Sequence, residues 1–299
     1  MAKNNSSNIK TCVVGLGYIG LPTAVSISLS GQSVIGLDID ASVVEIVNDG
    51  KVHIVEPGLE EAVKESVKSG LLKATTVPEI ADTFIIAVPT PFRGNHHVPD
   101  LSYVKAASQM IAKVLKPGDL VILESTSPVG STEKLRDWLS SERSDLIFAD
   151  KGIEEPDIFI AYCPERVLPG NTLRELVEND RVIGGLCKKS NSKAISFYGS
   201  FIDGLCHETN SRTAELTKLV ENSYRDVNIA FANELSLVAK NLEIDVWELI
   251  DLANMHPRVD ILKPGAGVGG HCIAVDPWFI ISKSPEAKLI KQARLINDY

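Results

Sequence analysis

The chain has 299 residues, 44% hydrophobic and 23% charged, with 30 Lys and Arg against 39 Asp and Glu for a net charge of −9. That balance suits one large or two ordinary globular domains and excludes a disordered chain, a collagen-like repeat and a small disulfide scaffold. An acidic chain is also poorly matched to nucleic-acid phosphates, which demand clustered Lys and Arg.

The start, MAKNNSSNIK, is polar, and the first apolar run, TCVVGLGYIG, is broken by three glycines. Neither reads as a signal peptide, and no apolar run approaches the ~18 residues of a membrane span. Cysteines stand at 12, 163, 187, 206 and 272, with no metal-clip spacing. An odd count of this kind fits a reducing compartment, so a cytoplasmic location is expected.

Apolar runs rich in Val and Ile predict strands over 11–15, 33–38, 83–88, 119–124 and 157–163. Helical spacing fills 19–29, 42–48, 59–68, 103–115 and 131–141, and a sixth strand (181–184) and a helix (190–202) follow. Continuous apolar strands alternating with helices predict a parallel sheet covered on both faces, with ligands at the carboxyl ends of the strands. The pattern changes near Thr209, which divides the chain into domains of 1–208 and 209–299. Residues 211–241 carry one long helical pattern without Gly or Pro, opening on Ser211 as N-cap with Glu215 in its first turn. A shorter helix over 246–254, a Pro/Gly-rich loop over 256–277 and a helix over 285–299 complete the chain. The last helix is still amphipathic at its final residue, so the chain is expected to stop inside a longer fold.

Gly15-Leu-Gly17-Tyr18-Ile19-Gly20 follows the first strand and opens the first helix, and Asp38 ends the second strand. In that context the glycines form a dinucleotide fingerprint: Gly15 for the tight turn, Gly17 for close approach of a pyrophosphate, Gly20 for helix-to-sheet packing. The helix N-terminus offers N–H groups and positive potential to the phosphates. Asp38 suits a ribose hydroxyl and repels a 2′-phosphate by about 4 kcal/mol per charge pair at ~4 Å, which selects NAD over NADP.

Cys272 follows a glycine-rich run, Gly265-Ala-Gly-Val-Gly-Gly270-His271. Such a run lets a substrate approach the sulfur, yet an isolated cysteine is as often a small buried hydrophobe. Lys218, Asn222 and Arg225 share one helix face, suited to polarising a carbonyl or equally to meeting solvent. Three strand-end segments are rich in hydroxyl, proline or charged residues: Val88-Pro-Thr90-Pro91, Glu124 to Thr132, and Tyr162 to Gly170. His96 and His97 have no partners at metal-ligand spacing and read as surface loop; no metal is expected. Cys12, Cys187 and Cys206 read as packing residues, with Cys163 left open.

The segments GLGYIGLPTA, AVPTPF, ESTSPVGST, CPERVLPG, KLVENSYRDVNIAFANE and GVGGHCIAVDP, in this order, resemble the UDP-glucose/GDP-mannose dehydrogenase family over essentially the whole chain. The resemblance implies a Rossmann-like, doubly wound parallel α/β sheet followed by an all-helical dimerisation domain with a long central helix. It implies an NAD-dependent, four-electron oxidation of a UDP-sugar at C6 through a cysteine thioester. Cys272 would be the nucleophile, Lys218 the acid/base or oxyanion partner and Asn222 a second donor to the same oxygen. Thr126, Glu165 and Asp276 would position water or support the lysine.

By the same resemblance, Gly15, Gly17, Tyr18, Ile19, Gly20, Asp38, Thr90 and Thr132 contact the cofactor. Arg166, Val167, Lys218, Asn222, Arg225, His256, Arg258 and Gly269 contact the sugar nucleotide. A homodimer through the long helix is implied, with Arg258 reaching the partner's site; neither nucleic acid nor membrane is an expected partner. Glucose-specific members read Asn-Pro-Glu-Phe where this chain has Cys163-Pro-Glu-Arg166, and Phe where it has His271. Both departures favour an N-acetylated sugar, with UDP-N-acetyl-D-mannosamine as the expected substrate for surface polysaccharide. UDP-N-acetylglucosamine and UDP-glucose are the alternatives. Family members continue into a C-terminal UDP-binding domain, expected to be absent here, which leaves a catalytically silent NAD-binding dimer as another expectation. A two-electron dehydrogenase of the hydroxyacid type would share the glycine turn and the Lys/Asn helix but have no use for Cys272.

Overall fold

The computed structural model describes residues 9–94, 97–270 and 272–298. The polar start read against a signal peptide, His96, His271 and the final Tyr299 lie outside the described residues. The chain divides into two compact units. One holds the described residues up to Pro91 together with Asp100–Glu215; the other holds Phe92–Pro99 and Leu216 onward. The division falls inside the long helix, and an eight-residue excursion from the first half groups with the second unit, a detail outside the expected split at 208/209.

The first unit is an α/β sheet of eight strands. In chain order it contains β1 (Lys10–Val14), α1 (Gly20–Leu29), β2 (Ser33–Leu37), α2 (Ala41–Asn48), α3 (Leu59–Lys68), β3 (Leu72–Thr75) and β4 (Thr83–Ile86). After the excursion, β5 (Phe92–Arg93) and β6 (Val98–Pro99), come α4 (Ser102–Ala112), β7 (Leu120–Leu123), α5 (Ser131–Glu142) and β8 (Phe159–Tyr162). The unit finishes with α6 (Thr172–Glu178), β9 (Arg181–Gly185), α7 (Lys188–Tyr198), β10 (Cys206–Asn210) and the start of α8 (Ser211–Asn241).

The strand order is β10-β9-β8-β7-β4-β1-β2-β3. The chain winds outward from β1 to β3, then restarts on the other side of β1 with β4, so the order reverses between β1 and β4, the place where such sheets bind ligands. Six strands are mutually parallel, while β9 pairs antiparallel with β8 and β10 runs parallel to β9. The parallel pattern expected from sequence therefore turns around at one edge. A parallel neighbour requires a crossover back to the starting end of the sheet; here the chain passes through the seven-residue α6 and re-enters β9 at the end where β8 stopped.

The central strands are buried at every residue, which is why they read as unbroken apolar runs. Alternate side chains serve opposite faces. Val13, Ile85, Ile122 and Ala161 pack with Leu21, Ala24 and Val25 of α1 and with Ala194 and Phe197 of α7. Cys12, Phe84, Ile86, Val121 and Leu123 pack with Val104 and Ile111 of α4 and Leu135 and Leu139 of α5.

The second unit carries most of α8, then α9 (Val246–Ala253), α10 (Asp276–Ile281) and α11 (Lys288–Asn297). With 31 residues, α8 is about 46 Å long at ~1.5 Å per residue. Its cap is Asn210, whose Oδ1 accepts from the Thr213 N–H at 3.0 Å; Ser211, expected in that role, is the first helical residue. Buried polar contacts fix α11 and the glycine-rich loop against α8. Arg294 Nη1 meets Asp226 Oδ1 at 2.5 Å, Asn297 donates to the same oxygen at 2.8 Å, and Asn233 bridges Asn297 and the Gly265 N–H.

Candidate functional site

In the first unit the predicted cofactor residues of the glycine turn, with Asp38, gather where β1 meets α1, while Thr90 and Thr132 lie after β4 and in α5. Gly15 has φ +90°, and a Cβ there would stand 2.8 Å from the Ala87 carbonyl oxygen; at Gly20 a Cβ would fall 1.8 Å from the Gly15 oxygen. Gly17 is different: nothing lies within 4 Å of where its Cβ would be. Two glycines are thus required by the protein's own packing, and the middle one keeps a surface open. Tyr18 beside it is exposed and Ile19 half-buried. Asp38 Oδ2 accepts from the Leu16 N–H at 2.8 Å and Oδ1 from the Asp40 N–H at 3.0 Å, which holds the carboxylate at the end of β2, next to the turn. An open glycine, a helix N-terminus and an oriented carboxylate fit the pyrophosphate and ribose of a dinucleotide.

Thr90 and Thr126 come together from the ends of β4 and β7, with Thr90 Oγ1 donating to the Thr126 carbonyl at 2.6 Å. Thr132 is fully buried and engaged by a residue 83 positions away. Glu215 Oε1 accepts from its N–H at 2.8 Å and its hydroxyl at 2.6 Å, while Oε2 accepts from the Gly130 N–H at 2.6 Å. The carboxylate read from sequence as a first-turn residue of α8 therefore caps α5. Burial raises its pKa, and the three donated bonds oppose that rise.

The loop with Glu165, Arg166 and Val167 is fixed at several points. Asn179 Nδ2 donates to the Arg166 carbonyl at 2.8 Å, and Glu165 accepts from the Val167 N–H at 3.2 Å. Glu56 accepts from the Gly170 and Thr172 N–H groups at 3.0 and 2.8 Å, which holds its pKa down. Both Glu56 and Glu215 act across more than 80 residues, and no local spacing announces either.

Behind these loops lies a buried charged group that sequence reading did not assemble. Glu124 accepts from Thr23 Oγ1 of α1 at 3.2 Å and stands 3.7 Å from Arg181, whose guanidinium covers the Tyr198 ring. Burial pushes the Glu124 carboxyl up to about 7, against the pull of Arg181. Cys163 is fully buried and its thiol pushed up to about 12, so it is a packing residue. Cys12 is the same, while Cys187 and Cys206 are half-buried.

In the second unit, Lys218 and Asn222 lie one turn apart on α8, Lys218 buried and Asn222 half-buried. Asn222 Nδ2 donates to Asp276 Oδ2 at 2.6 Å, so α8 grips the first residue of α10. The Cys272 carbonyl accepts from the Val275 and Asp276 N–H groups at 3.0 and 2.9 Å. The exposed cysteine therefore sits on a hydrogen-bonded turn that runs straight into α10 and, through Asp276, onto the Lys218/Asn222 face. Arg225, His256, Arg258 and Gly269 are exposed on the same unit. His256 Nδ1 accepts from the Arg258 N–H at 3.3 Å, which orders that turn. Among the described residues no helix is long and apolar enough to cross a membrane.

Comparison with known proteins gives these placements a context. Residues 9–202 match the NAD binding domain of the UDP-glucose/GDP-mannose dehydrogenase family, and residues 212–299 match its central domain. The sequence is 63% identical over 290 residues to the UDP-N-acetyl-D-mannosamine dehydrogenase of Campylobacter jejuni, covering 97% of this chain and 71% of that protein. It is 60% identical to the NDP-N-acetyl-D-galactosaminuronic acid dehydrogenase of Ralstonia nicotianae, covering 96% of this chain and 68% of that protein. Among solved structures, the UDP-D-ManNAc dehydrogenase of Pyrococcus horikoshii superposes with a TM-score of 0.89 at 44% identity, covering 97% of this chain and 68% of that one. The glycine turn falls within the first family match and the Cys272 turn within the second; the chain belongs to the UDP-glucose/GDP-mannose dehydrogenase family and is an NAD-dependent dehydrogenase.

Proposed function

We propose that the protein oxidises C6 of UDP-N-acetyl-D-mannosamine from alcohol to carboxylate, in two stages, through a thioester on Cys272, to supply a uronic acid for surface polysaccharide. The observation that carries this reading is the 2.6 Å bond between Asn222 and Asp276, which joins the helix bearing Lys218 to the turn bearing Cys272. Both steps need that pairing: a cation and an amide donor for the sugar oxygen, and a thiol for the carbon.

NAD, held by the β1–α1 turn and Asp38, supplies a hydride acceptor that is used twice per sugar. Lys218 takes the proton of the C6 hydroxyl as the first oxidation forms the aldehyde. The Cys272 sulfur then adds to the aldehyde carbon, and the thiol proton passes to the former carbonyl oxygen, giving a thiohemiacetal. Lys218 and Asn222 hold that oxygen as the second oxidation forms the thioester. Water, placed by Thr126, Glu165 and Asp276, breaks the C–S bond to release the carboxylate and restore the thiol. Overall, one alcohol, two NAD and one water give one carboxylate, two NADH and three protons.

For the nucleotide part, Arg166, Val167, Arg225, His256, Arg258 and Gly269 are the contacts proposed. The relatives named for UDP-N-acetylmannosamine favour that sugar, and the Ralstonia relative makes another N-acetylated sugar nucleotide the second reading. A homodimer through α8 is supported by exposed Val220, Tyr224, Phe231 and Val238, a stripe at helical spacing that water covers poorly.

The test is to mix the protein with NAD and UDP-N-acetylmannosamine and count NADH per sugar consumed, with the galactosamine, glucosamine and glucose nucleotides in parallel. The expected ratio is two, with the mannosamine nucleotide giving the highest kcat/KM. A ratio of one, or a Cys272→Ser variant that still yields two, refutes the thioester route.

A further inference from the structure

The short hairpin of β5 and β6 has only two residue pairs, Phe92 with Pro99 and Arg93 with Val98. A two-stranded ribbon of that size does not persist on its own pairing. It is held by rings. The His97 imidazole lies flat on the Trp278 indole, centroids 4.1 Å apart and planes within 3°. Phe92 meets the edge of His97 at 5.1 Å and of Phe279 at 5.7 Å. His97 holds φ +52°, a backbone state uncommon for a residue with a side chain, and the stacked ring explains why that state is kept.

Trp278 and Phe279 are the third and fourth residues of α10, a helix of only six residues. Such a helix has too few backbone bonds to fix its own direction. Its leading end is the turn in which Cys272 accepts from Val275 and Asp276. Two grips thus hold it: Asn222 on Asp276 at the front, and the hairpin's rings behind. The hairpin leaves the chain at Pro91 and returns at Asp100, closed by the Asp100 N–H to Pro91 carbonyl bond of 2.8 Å, next in sequence to Thr90.

We propose that the β5–β6 hairpin is a brace for the nucleophile: His97, stacked on Trp278, holds α10 and thereby the placement of Cys272 for the second oxidation, which makes His97 a positioning residue. The proposal rests on the reading of Cys272 as the covalent catalyst. It assigns the hairpin to thioester formation and leaves the first hydride step, which needs no thiol, largely independent of it.

Two measurements on His97→Ala, His97→Phe and Trp278→Leu test this. The first is amide hydrogen exchange, followed by mass spectrometry, at Val275 and Asp276. The expectation is exchange at least tenfold faster in His97→Ala and Trp278→Leu, and restored in His97→Phe, which keeps a flat ring. Unchanged exchange in both ring-deleted variants overturns the brace, whatever the enzyme turns over. The second is the NADH-to-sugar ratio with a hydrazide trap for aldehyde. His97→Ala is expected to fall from two toward one, with trapped aldehyde making up the difference, the rate of the first oxidation within about twofold of wild type, and His97→Phe close to two. Equal loss of both oxidations, or no rescue by Phe, overturns the positioning role. A wild-type ratio of one with the expected exchange pattern places the failure in the thioester reading instead.

Discussion

Replacing Gly17 and Gly20 by alanine separates what the glycine turn does for the fold from what it does for the cofactor. At Gly20 the new Cβ would stand 1.8 Å from the Gly15 carbonyl oxygen. An ordinary C···O contact is ~3.3 Å, so backbone must yield by about 1.5 Å where the β1–α1 turn packs against the start of α1. A forced backbone shift of that size costs about 3 kcal/mol or more, or a fall in Tm of about 10 °C for a domain of this size. At Gly17 the new Cβ meets nothing within 4 Å and the residue is outside the left-handed region, so stability should change by less than ~1 kcal/mol. The methyl group does, however, occupy the space a pyrophosphate needs. Loss of one or two charge-assisted N–H bonds at ~1.5–3 kcal/mol each weakens NAD at least about tenfold. Thermal unfolding without ligand, paired with NAD titration by calorimetry, reads both effects. A Gly17→Ala variant that binds NAD as wild type does would refute this account of the turn, as would a Gly20→Ala variant with unchanged Tm.

Two further predictions concern buried carboxylates. Glu215→Ala strands three donors on Gly130 and Thr132 and should cost about 3–5 kcal/mol, with Glu215→Gln in between because one acceptor survives; urea unfolding of the three proteins checks the order. Glu124 keeps its proton up to about pH 7 when folded but only to about 4.5 when unfolded. Its contribution is therefore fully favourable below pH 4.5 and is lost as pH rises to 7, a change on the order of 3 kcal/mol. The unfolding free energy of wild type minus that of Glu124→Gln, measured at pH 5 and pH 7.5, should fall across that window; a flat difference would show that the carboxyl is already ionised in the folded protein.

The parts of the fold legible in sequence were those in which one local signal suffices. The strands β1, β2, β4, β7 and β8 are continuous apolar runs because both faces of the sheet are covered, and α8 is 31 residues without Gly or Pro. The missed elements lack such a signal. In β10 the sequence Cys-His-Glu-Thr-Asn is polar because it is a partly exposed edge strand. In α6 and α10 the helices are too short for a period to show, and β5 and β6 are held by rings on another element. The same division runs through the site. The glycine turn is local and could be read directly, including which glycine is left open rather than packed against the protein. Cys272, Lys218 and Asp276 were connected only through resemblance, because the bond that joins their elements spans 54 residues. The long-range contacts of Glu215, read only as a first-turn residue of its own helix, and of Glu56 escaped, since a surface-type residue that closes a contact across the fold looks in sequence like any solvated acid.

The Glu215 cap has a consequence for where an anion can dock. Both α1 and α5 begin at the carboxyl edge of the parallel strands, and each helix start is an electropositive address for a phosphate. At α5 that address is already taken: a carboxylate from the same polypeptide sits on its leading amides and neutralises the end of the helix. At α1 the corresponding amides stand beside an open glycine. With the α5 berth permanently filled by an internal tenant, a diphosphate arriving at this edge has one fewer docking register to sample, so the fold removes a decoy before any ligand arrives.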